Sequence, residues 1–520
     1  MRAVPTTLGP NVSNAGYSHL SVPRVRFLRD VSIPRSHSAL PPPIVTASGV
    51  RFPTGFHFGV ATSAYQIEGA TTAGGRGASI WDSFAKVPGA IERGESGDPA
   101  CDHYHRWADD VALMQAMGVS SYRFSIAWPR IQPSGKGRPS KEGIGFYDRL
   151  IDAVLQAGIR PFPTLYHWDL PDALEREGGW PKRATADRFA EYAAICAKAF
   201  GDRVHEWTLF NEPYIFVSRG YLTGRYAPGR RDPEAFIRAV HTVTLAQGDG
   251  FRALRAVRPS AKVGTVVALS PCEPATDSEA DRAAAREADA LFNLLFLDPA
   301  FHGGYPGPFA EKVSARSLGY TRGDSERMRT PLDFIGINCY YRLVVGVSAG
   351  TPKLPFYLLA GQGDIRTAGG HAIPGASKRV RVVESSFGRR DGPRTEMDWE
   401  VWPQALYDVI MRMTRRYGPI PIEVAESGCA FADEVSPDGL VHDEARRQYH
   451  REHLLRVAEA MRDGADVRSY HAWSFMDNFE WASGYRPRFG IVHVDYRTQR
   501  RTLKDSGAWY ADVCRTRVVP

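Results

Sequence analysis

The strongest constraint on the fold of this chain is a regular alternation of short apolar segments and longer amphipathic ones between residues 52 and 515. The short runs are rich in β-branched and aromatic residues, which predicts strands. The stretches between them repeat apolar residues at spacings of three and four, which predicts helices. We predict eight strands, at residues 56–62, 120–126, 160–167, 206–212, 261–269, 334–341, 419–426 and 467–475.

Eight strands, each followed by a helical segment, indicate one α/β domain folded as a (β/α)8 TIM barrel. Clear helical patterns cover residues 104–117 and 184–200, and Gly118 ends the first of them. Residues 345–398 contain many Gly and Pro and show no period, so we predict a long loop over the C-terminal face of the barrel. The catalytic residues of such barrels lie on that face.

The first 48 residues differ in composition from the rest. They contain five Arg, one Asp and no Lys, and Pro41, Pro42 and Pro43 lie near their end. We predict that residues 1–48 are a disordered extension and that residues 49–520 form the catalytic domain. An organelle transit peptide, an unstructured extension and translated upstream sequence all fit this composition. Because the segment lacks the apolar core of a secretory signal, we expect a cytoplasmic protein.

Charge and hydropathy limit the partners. The formal net charge is +7, but +4 of it lies in residues 1–48, and no basic stripe is interleaved with aromatic residues. We therefore predict no nucleic-acid partner. No apolar run approaches the roughly 20 residues of a membrane-spanning helix, so we predict no membrane partner. The six cysteines are irregularly spaced without a Cys-x-x-Cys pair, which favours buried reduced thiols.

Polar and aromatic residues recur where the predicted strands end. Any one of them could instead cap a helix or bind a loop amide, but together they place two carboxylates among amides and indoles, which suits a sugar. Two carboxylates are what glycoside hydrolysis requires. The residues are Arg123, His167, Asn211, Glu212, Asn338, Tyr340, Glu426 and Trp473, with Gln66 and Glu68 after the first strand.

We predict neither a metal nor a cofactor. The nearest candidate for metal ligands, His103 and His105, opens a predicted helix rather than closing a strand. Gly74, Gly75 and Gly77 lie close together but lack the spacing and the Lys of a phosphate-binding loop. The expected partner is a small-molecule glycoside.

Seven separated motifs resemble glycoside hydrolase family 1, the β-glucosidase family, over about residues 52 to 513. Their number and order make the resemblance specific. The family fold is a (β/α)8 barrel, which agrees with the strand count. The motifs are FPTGFHFGVATSAYQIEGA at 52–70, YRFSIAWPRI at 122–131, YHWDLP at 166–171, TLFNEP at 208–213, FIGINCYY at 334–341, VAESG at 424–428 and WSFMDNFEWASGY at 473–485.

The resemblance implies a role for each matching residue. Glu212 would be the general acid/base and Glu426 the nucleophile that forms a covalent glycosyl-enzyme. Arg123, Asn211, Asn338 and Tyr340 would support these two carboxylates and the sugar 2-hydroxyl. The remaining sugar contacts would come from Gln66, His167, Trp473, Glu480 and Trp481, with Trp399 as a platform for the leaving group.

The resemblance also narrows the substrate. Relatives that act on 6-phosphorylated sugars carry a phosphate-binding set of residues, whereas this chain has Glu480 at the matching place, so we expect unphosphorylated β-D-glucosides and also consider β-galactosides and β-fucosides. A transglycosidase that uses the same two carboxylates is the alternative. Loops around 214–235 and 345–398 are expected to shape the pocket for the aglycone.

Overall fold

Eight parallel strands close into a barrel in the computed structural model, which describes residues 39–347, 358–361, 382–386 and 392–520. Neighbouring strands follow chain order, and the last strand pairs with the first. We number them β1 (His57–Ala61), β2 (Ser121–Ser125), β3 (Arg160–Tyr166), β4 (Glu206–Asn211), β5 (Lys262–Ala268), β6 (Phe334–Asn338), β7 (Ile422–Ser427) and β8 (Val467–Trp473).

A long helix follows each barrel strand before the next one begins. These helices cover the outside of the barrel, so the strands are buried on both faces, as their continuous apolar sequence requires. The helices are His103–Met117, Lys141–Gln156, Ala184–Phe200, Pro233–Val257, Glu279–Asp289, Gln404–Tyr417, Glu444–Arg462 and Asp505–Thr516.

Local sequence determines several helix ends. The Ser140 hydroxyl accepts the backbone N–H of Gly143 at 3.1 Å, and Asp232 accepts those of Glu234 and Ala235 at 2.9 and 3.1 Å. Both side chains satisfy donors that the first helical turn leaves free. Gly118, predicted to end its helix, adopts a left-handed φ of +76° there.

Short elements complete the connections. The short α-helices are Ala64–Ile67, Ile80–Phe84, Trp128–Ile131, Asp172–Arg176, Pro213–Val217, Leu297–His302, Gly307–Ala310, Ala315–Leu318 and Asp324–Met328. Glu92–Gly94 and Trp481–Ser483 are 3₁₀ turns, and Ser218–Leu222 and Ala290–Leu294 are π-helical turns. The remaining strands are Ile44–Thr46, Gly49–Arg51, Cys272–Pro274, Leu343–Val347, Leu358–Gly361, Val382–Ser386, Val492–Asp495, Arg500–Leu503 and Val518–Val519.

The predicted barrel and all eight of its predicted strands are confirmed, with boundaries that differ by at most a few residues. Two boundaries elsewhere need correction. The predicted disordered extension ends too late, because Ile44–Thr46 is a strand that pairs with Gly49–Arg51, and Gly49–Arg51 also pairs with Val518–Val519. Residues 1–38 lie outside the described chain, so their predicted disorder stays a prediction.

The predicted long loop at 345–398 is wrong in part. It includes strand residues, since Leu343–Val347 pairs with Cys272–Pro274 and Val382–Ser386 in a small separate sheet. Residues 348–357, 362–381 and 387–391 of this segment lie outside the described chain. In the parts that the structure describes, no helix combines the length and apolar character that crossing a bilayer would take.

The helix Lys141–Gln156 offers a matched test of core packing. Leu150 is 2% exposed within the core, whereas Leu155 on the same helix is 38% exposed. We expect Leu150→Ala to lower the free energy of unfolding by about 2–5 kcal/mol, because it leaves a cavity, and Leu155→Ala by less than about 1 kcal/mol. Urea unfolding followed by tryptophan fluorescence measures both. Equal losses would show that the helix does not pack through this face.

Candidate active site

A cavity of about 200 Å³ opens at the C-terminal end of the barrel strands. Most of the residues predicted from the sequence line it, although they come from six separate parts of the chain. These lining residues are His167, Asn211, Glu212, Asn338, Tyr340, Trp399, Glu426, Trp473, Glu480 and Trp481. The barrel thus brings the predicted carboxylates, amides and aromatic rings to one place.

Two buried glutamates face this cavity from β4 and β7. Glu212 directly follows β4, and Glu426 lies within β7, paired in register with Asn338 on β6. The Asn338 side-chain amide donates to Glu212 Oε1 at 2.7 Å, and its hydrogen bonding also lowers the pKa of Glu426. Both glutamates line the same cavity, and the charge of Glu426 is near enough to raise the pKa of Glu212.

Glu426 is held by more partners than Glu212. Arg123 Nη1 donates to Glu426 Oε1, and the Tyr340 hydroxyl donates to Glu426 Oε2 at 2.5 Å. The other guanidinium arm of Arg123 donates to Asn211 Oδ1 at 2.7 Å. Arg123 lies beneath the cavity, fully buried, where it fixes Glu426 and Asn211 in one arrangement.

These surroundings separate the two carboxyl groups electrostatically. Burial first, and then the charge of Glu426, raise the pKa of Glu212 to about 8. Burial raises the pKa of Glu426 as well, but Arg123 and Tyr340 act against that rise. Two adjacent negative charges in a buried space are unfavourable, so one proton stays in the pair. The environment favours that proton on Glu212.

Aromatic rings and a third carboxyl group form the inner wall. The His167 ring is stacked between Trp473 and Trp481, with centroid distances of 6.0 and 5.8 Å. Burial and the nearby Arg123 charge lower the pKa of His167 far below its usual value, so its ring is neutral. Glu480 is half-buried, but its Oε2 atom is inaccessible to solvent and, within the described chain, has no hydrogen-bond partner. Such a group is suited to a sugar hydroxyl.

Gln66 is the predicted sugar contact whose side chain the structure places behind the cavity wall. Its amide Nε2 donates to Asn478 Oδ1 at 3.0 Å and to the Phe479 carbonyl at 2.8 Å, and its Oε1 accepts the Ser63 hydroxyl at 2.6 Å. These contacts fix the loop that leads to Glu480. The predicted direct contact between Gln66 and sugar stays a prediction.

Three residues of the cavity wall have left-handed backbones although they are not glycine. Trp168, Glu212 and Trp481 have φ values of +80°, +49° and +49°. Each such conformation costs on the order of 1–3 kcal/mol, and such costs concentrate at functional sites. The turn at Glu212 directs its side chain away from the strand direction and starts the short helix Pro213–Val217.

The outer wall includes residues to which the sequence analysis assigns no role. Trp168 follows His167 in the YHWDLP motif, and its ring lies 4.5 Å from that of Trp481. A further group comes from the segment after β4, which the sequence predicts only as a loop near the aglycone. This group consists of Ile215, Arg219, Arg225 and Tyr226, and further lining residues from other parts of the chain are Phe292, Tyr341, Met397 and Phe489.

Neither histidine of the weak metal candidate lies in the cavity. His103 Nδ1 is 2.7 Å from Asp110 Oδ2, and His105 Nδ1 is 2.6 Å from Asp102 Oδ1. Across the described residues, no group of three or more His, Cys, Asp or Glu side chains is arranged to hold a metal ion.

Comparison with known proteins agrees with this geometry. The family model "Glycosyl hydrolase family 1" matches residues 48–518. Beta-glucosidase A of Thermotoga maritima is 41% identical over 467 residues, covering 89% of this chain and 97% of that protein. A bifunctional beta-D-glucosidase/beta-D-fucosidase of Bifidobacterium breve is 42% identical over 469 residues, covering 88% and 97%.

A solved structure gives the same result in three dimensions. The beta-glucosidase from Thermotoga maritima in complex with noeuromycin superimposes with a TM-score of 0.81 at 40% sequence identity. The superposition covers 90% of this chain and all of that one. The family model spans most of the chain, and relatives at this level of identity extend across nearly their whole lengths. The chain therefore belongs to glycosyl hydrolase family 1.

Proposed function

We propose that the protein is a retaining β-glycosidase that hydrolyses unphosphorylated β-D-glucosides, with Glu426 as nucleophile and Glu212 as general acid/base. The observation that carries this proposal is the unequal support of two adjacent carboxyl groups. Glu212 accepts a hydrogen bond from Asn338, whereas Glu426 is bound by the charged Arg123 and by Tyr340. Retaining glycosidases need one ionised and one protonated carboxyl group flanking the scissile bond.

In the first step, the ionised Glu426 attacks the anomeric carbon while Glu212 donates its proton to the leaving oxygen. The pKa of about 8 keeps Glu212 protonated at neutral pH. Asn211 is held by Arg123 and Asn338, so its side chain is in a fixed position to meet the sugar 2-hydroxyl. Hydrogen bonds at that hydroxyl strengthen in the transition state.

In the second step, Glu212 acts as a base. Forming the glycosyl-enzyme removes the negative charge of Glu426, which is one of the causes that raise the pKa of Glu212. The pKa of Glu212 therefore falls, and its carboxylate accepts a proton from the water that releases the sugar. The same electrostatic coupling thus serves both steps.

The residues of the inner cavity support an unphosphorylated β-D-glucoside as the substrate. The indole of Trp473 offers a flat surface to the C–H face of a pyranose, and the unpartnered Glu480 oxygen offers a hydrogen bond to a hydroxyl. A phosphate dianion would lose its hydration in this inner cavity without gaining a free positive partner, since Arg123 is already paired with Glu426, which is unfavourable. The names of the relatives support β-glucosides and, in one case, β-fucosides. They give no support to the transglycosidase alternative.

We expect the wild-type enzyme to cleave p-nitrophenyl β-D-glucoside efficiently and the β-D-fucoside as a second substrate, with the β-D-galactoside tested beside them. The 6-phosphorylated glucoside should have a kcat/KM at least about tenfold lower, because its phosphate would lose its hydration in the cavity without a positive partner. Release of p-nitrophenol measures all four rates, and the α-D-glucoside is the stereochemical control. Preference for the phosphorylated or the α-linked substrate would contradict the proposal.

Replacing Glu426 should distinguish its role as nucleophile from the acid/base role of Glu212. Glu426→Gly is expected to lower kcat on 2,4-dinitrophenyl β-D-glucoside by a factor of about 10³ or more. Azide should restore part of the rate by attacking the anomeric carbon directly, and the product should be the α-glucosyl azide. Proton NMR of the product determines its configuration. A β-glucosyl azide from this variant would exclude Glu426 as the nucleophile.

The loss of activity on replacing the general acid Glu212 should depend on the leaving group of the substrate. Glu212→Ala should slow glucosides with poor leaving groups far more than the dinitrophenyl glucoside, which needs no proton. In the wild type, kcat/KM should fall as the pH rises through about 8, because Glu212 loses its proton there. The variant should lack this alkaline limb in a pH–rate profile. Equal losses on all leaving groups, with the limb retained, would assign the acid to another residue.

A further inference from the structure

Trp168 lies just beyond the end of β3, beside the end of β4. β3 ends at Tyr166, and two residues later Trp168 has a left-handed φ of +80°. Its side chain is buried and lines the cavity. The indole Nε1–H donates to the backbone carbonyl oxygen of Asn211 at 2.9 Å. Trp168 belongs to the YHWDLP motif, but the steps proposed above give it no part.

The indole N–H satisfies a carbonyl group that lies beyond the paired part of β3. β3 and β4 pair in register as far as Tyr166 and Phe210. The next carbonyl group of β4 belongs to Asn211, where β3 has already ended. A buried carbonyl group needs a hydrogen-bond donor, and the side chain of Trp168 supplies it.

The peptide group between Asn211 and Glu212 is held from both sides. Its carbonyl oxygen accepts the Trp168 indole, and its N–H, which belongs to Glu212, donates to the Val266 carbonyl on β5 at 2.9 Å. Because a peptide group is planar, hydrogen bonds on its two opposite edges fix its orientation. That orientation determines the φ of Glu212, which is +49°, a value that residues other than glycine rarely adopt. The indole thus helps to hold the turn that directs the Glu212 side chain.

The position of the Glu212 carboxyl group depends strongly on this backbone. Within the described chain, the side chain that hydrogen-bonds this carboxyl group is that of Asn338, at 2.7 Å. Glu426, by comparison, is bound by both Arg123 and Tyr340. A change in the turn at Glu212 would therefore displace its carboxyl group more readily than that of Glu426.

The Trp168 ring is itself fixed by packing. Its centroid lies 4.5 Å from that of Trp481, 5.6 Å from that of Tyr226 and 5.4 Å from that of His167. Aromatic contacts of this kind do not use the N–H group. The packing of the ring and its hydrogen bond to Asn211 can therefore be separated by experiment.

We propose that Trp168 is a positioning residue for the general acid/base. Its indole N–H holds the Asn211–Glu212 peptide group so that the Glu212 carboxyl group reaches the glycosidic oxygen. This inference rests on the proposed function, since it concerns proton transfer in the same reaction. A role in sugar binding or packing alone, through the ring beside Trp481, is the alternative that the test must separate.

The test measures kcat/KM on phenyl β-D-glucoside and on 2,4-dinitrophenyl β-D-glucoside. Departure of dinitrophenolate needs no proton, whereas departure of the phenol does. In Trp168→Phe we expect the ratio of the phenyl value to the dinitrophenyl value to fall about tenfold or more, because a misplacement of about 1 Å costs as much as about 10²-fold in rate. Weaker sugar binding or looser packing lowers both values together and leaves the ratio unchanged.

Trp207→Phe is the matched control. Trp207 lies in the same strand, β4, and is fully buried, and its Nε1–H donates to the Val204 carbonyl oxygen at 3.2 Å. It lies near the start of β4 and does not line the cavity, so this variant loses the same kind of hydrogen bond far from Glu212. Its ratio should equal that of the wild type. An unchanged ratio in Trp168→Phe, or an equal fall in Trp207→Phe, would overturn the proposal.

A second variant keeps the proposal testable if Trp168→Phe fails to fold. Incorporating 3-benzothienylalanine at position 168 keeps the shape of the indole and replaces its N–H by sulfur. This variant should retain the ring packing and lower the ratio in the same direction. A ratio equal to that of the wild type would refute the proposal.

Crystal structures separate a failure of this inference from a failure of the proposed function. If the wild type cleaves no β-glucoside, the proposed function fails, and the Asn211–Glu212 peptide group is then compared between the wild type and the benzothienylalanine variant. A rotated peptide group and a displaced Glu212 side chain in the variant would support the positioning role of Trp168. An identical arrangement in both structures would overturn it.

Discussion

The buried ion pair between Arg123 and Glu426 is the interaction on which the rest of the site depends. Its partners come from β2 and β7, 303 residues apart in the chain, and both are almost fully buried. Removing two charges from water is costly, and the cost is offset only when each charge has further hydrogen bonds. Tyr340 and Asn211 supply them, so the closed barrel is required before this pair is favourable.

That pair also determines how charge is distributed through the cavity. Burial first, and then the charge of Glu426 that Arg123 and Tyr340 keep ionised, raise the pKa of the neighbouring Glu212, which keeps the proton. The positive side chains of Arg219 and Arg225 lie beyond them in the outer wall. The proposed reaction uses the inner part of this arrangement.

Sequence patterns predicted the barrel well and the peripheral strands poorly. Each barrel strand is a short apolar run that is buried on both faces, so its composition alone identifies it. Ile44–Thr46 and Leu343–Val347 have no such signal, since each is a strand only because distant residues, Gly49–Arg51 in one case and Cys272–Pro274 in the other, supply hydrogen bonds. Pairing of that kind depends on where the chain returns in space.

The sequence by itself determined the fold class, the family and the residues gathered at the strand ends. The alternation of strand and helix patterns and the order of the motifs are both visible in the sequence. Only the tertiary structure decided that Gln66 holds the loop before Glu480, that Asn338 binds Glu212 and that Arg219 faces the cavity. These properties depend on distance and burial between residues far apart in the chain. The strength of a charge interaction changes severalfold with distance and with burial. These interactions therefore form only when the barrel has closed.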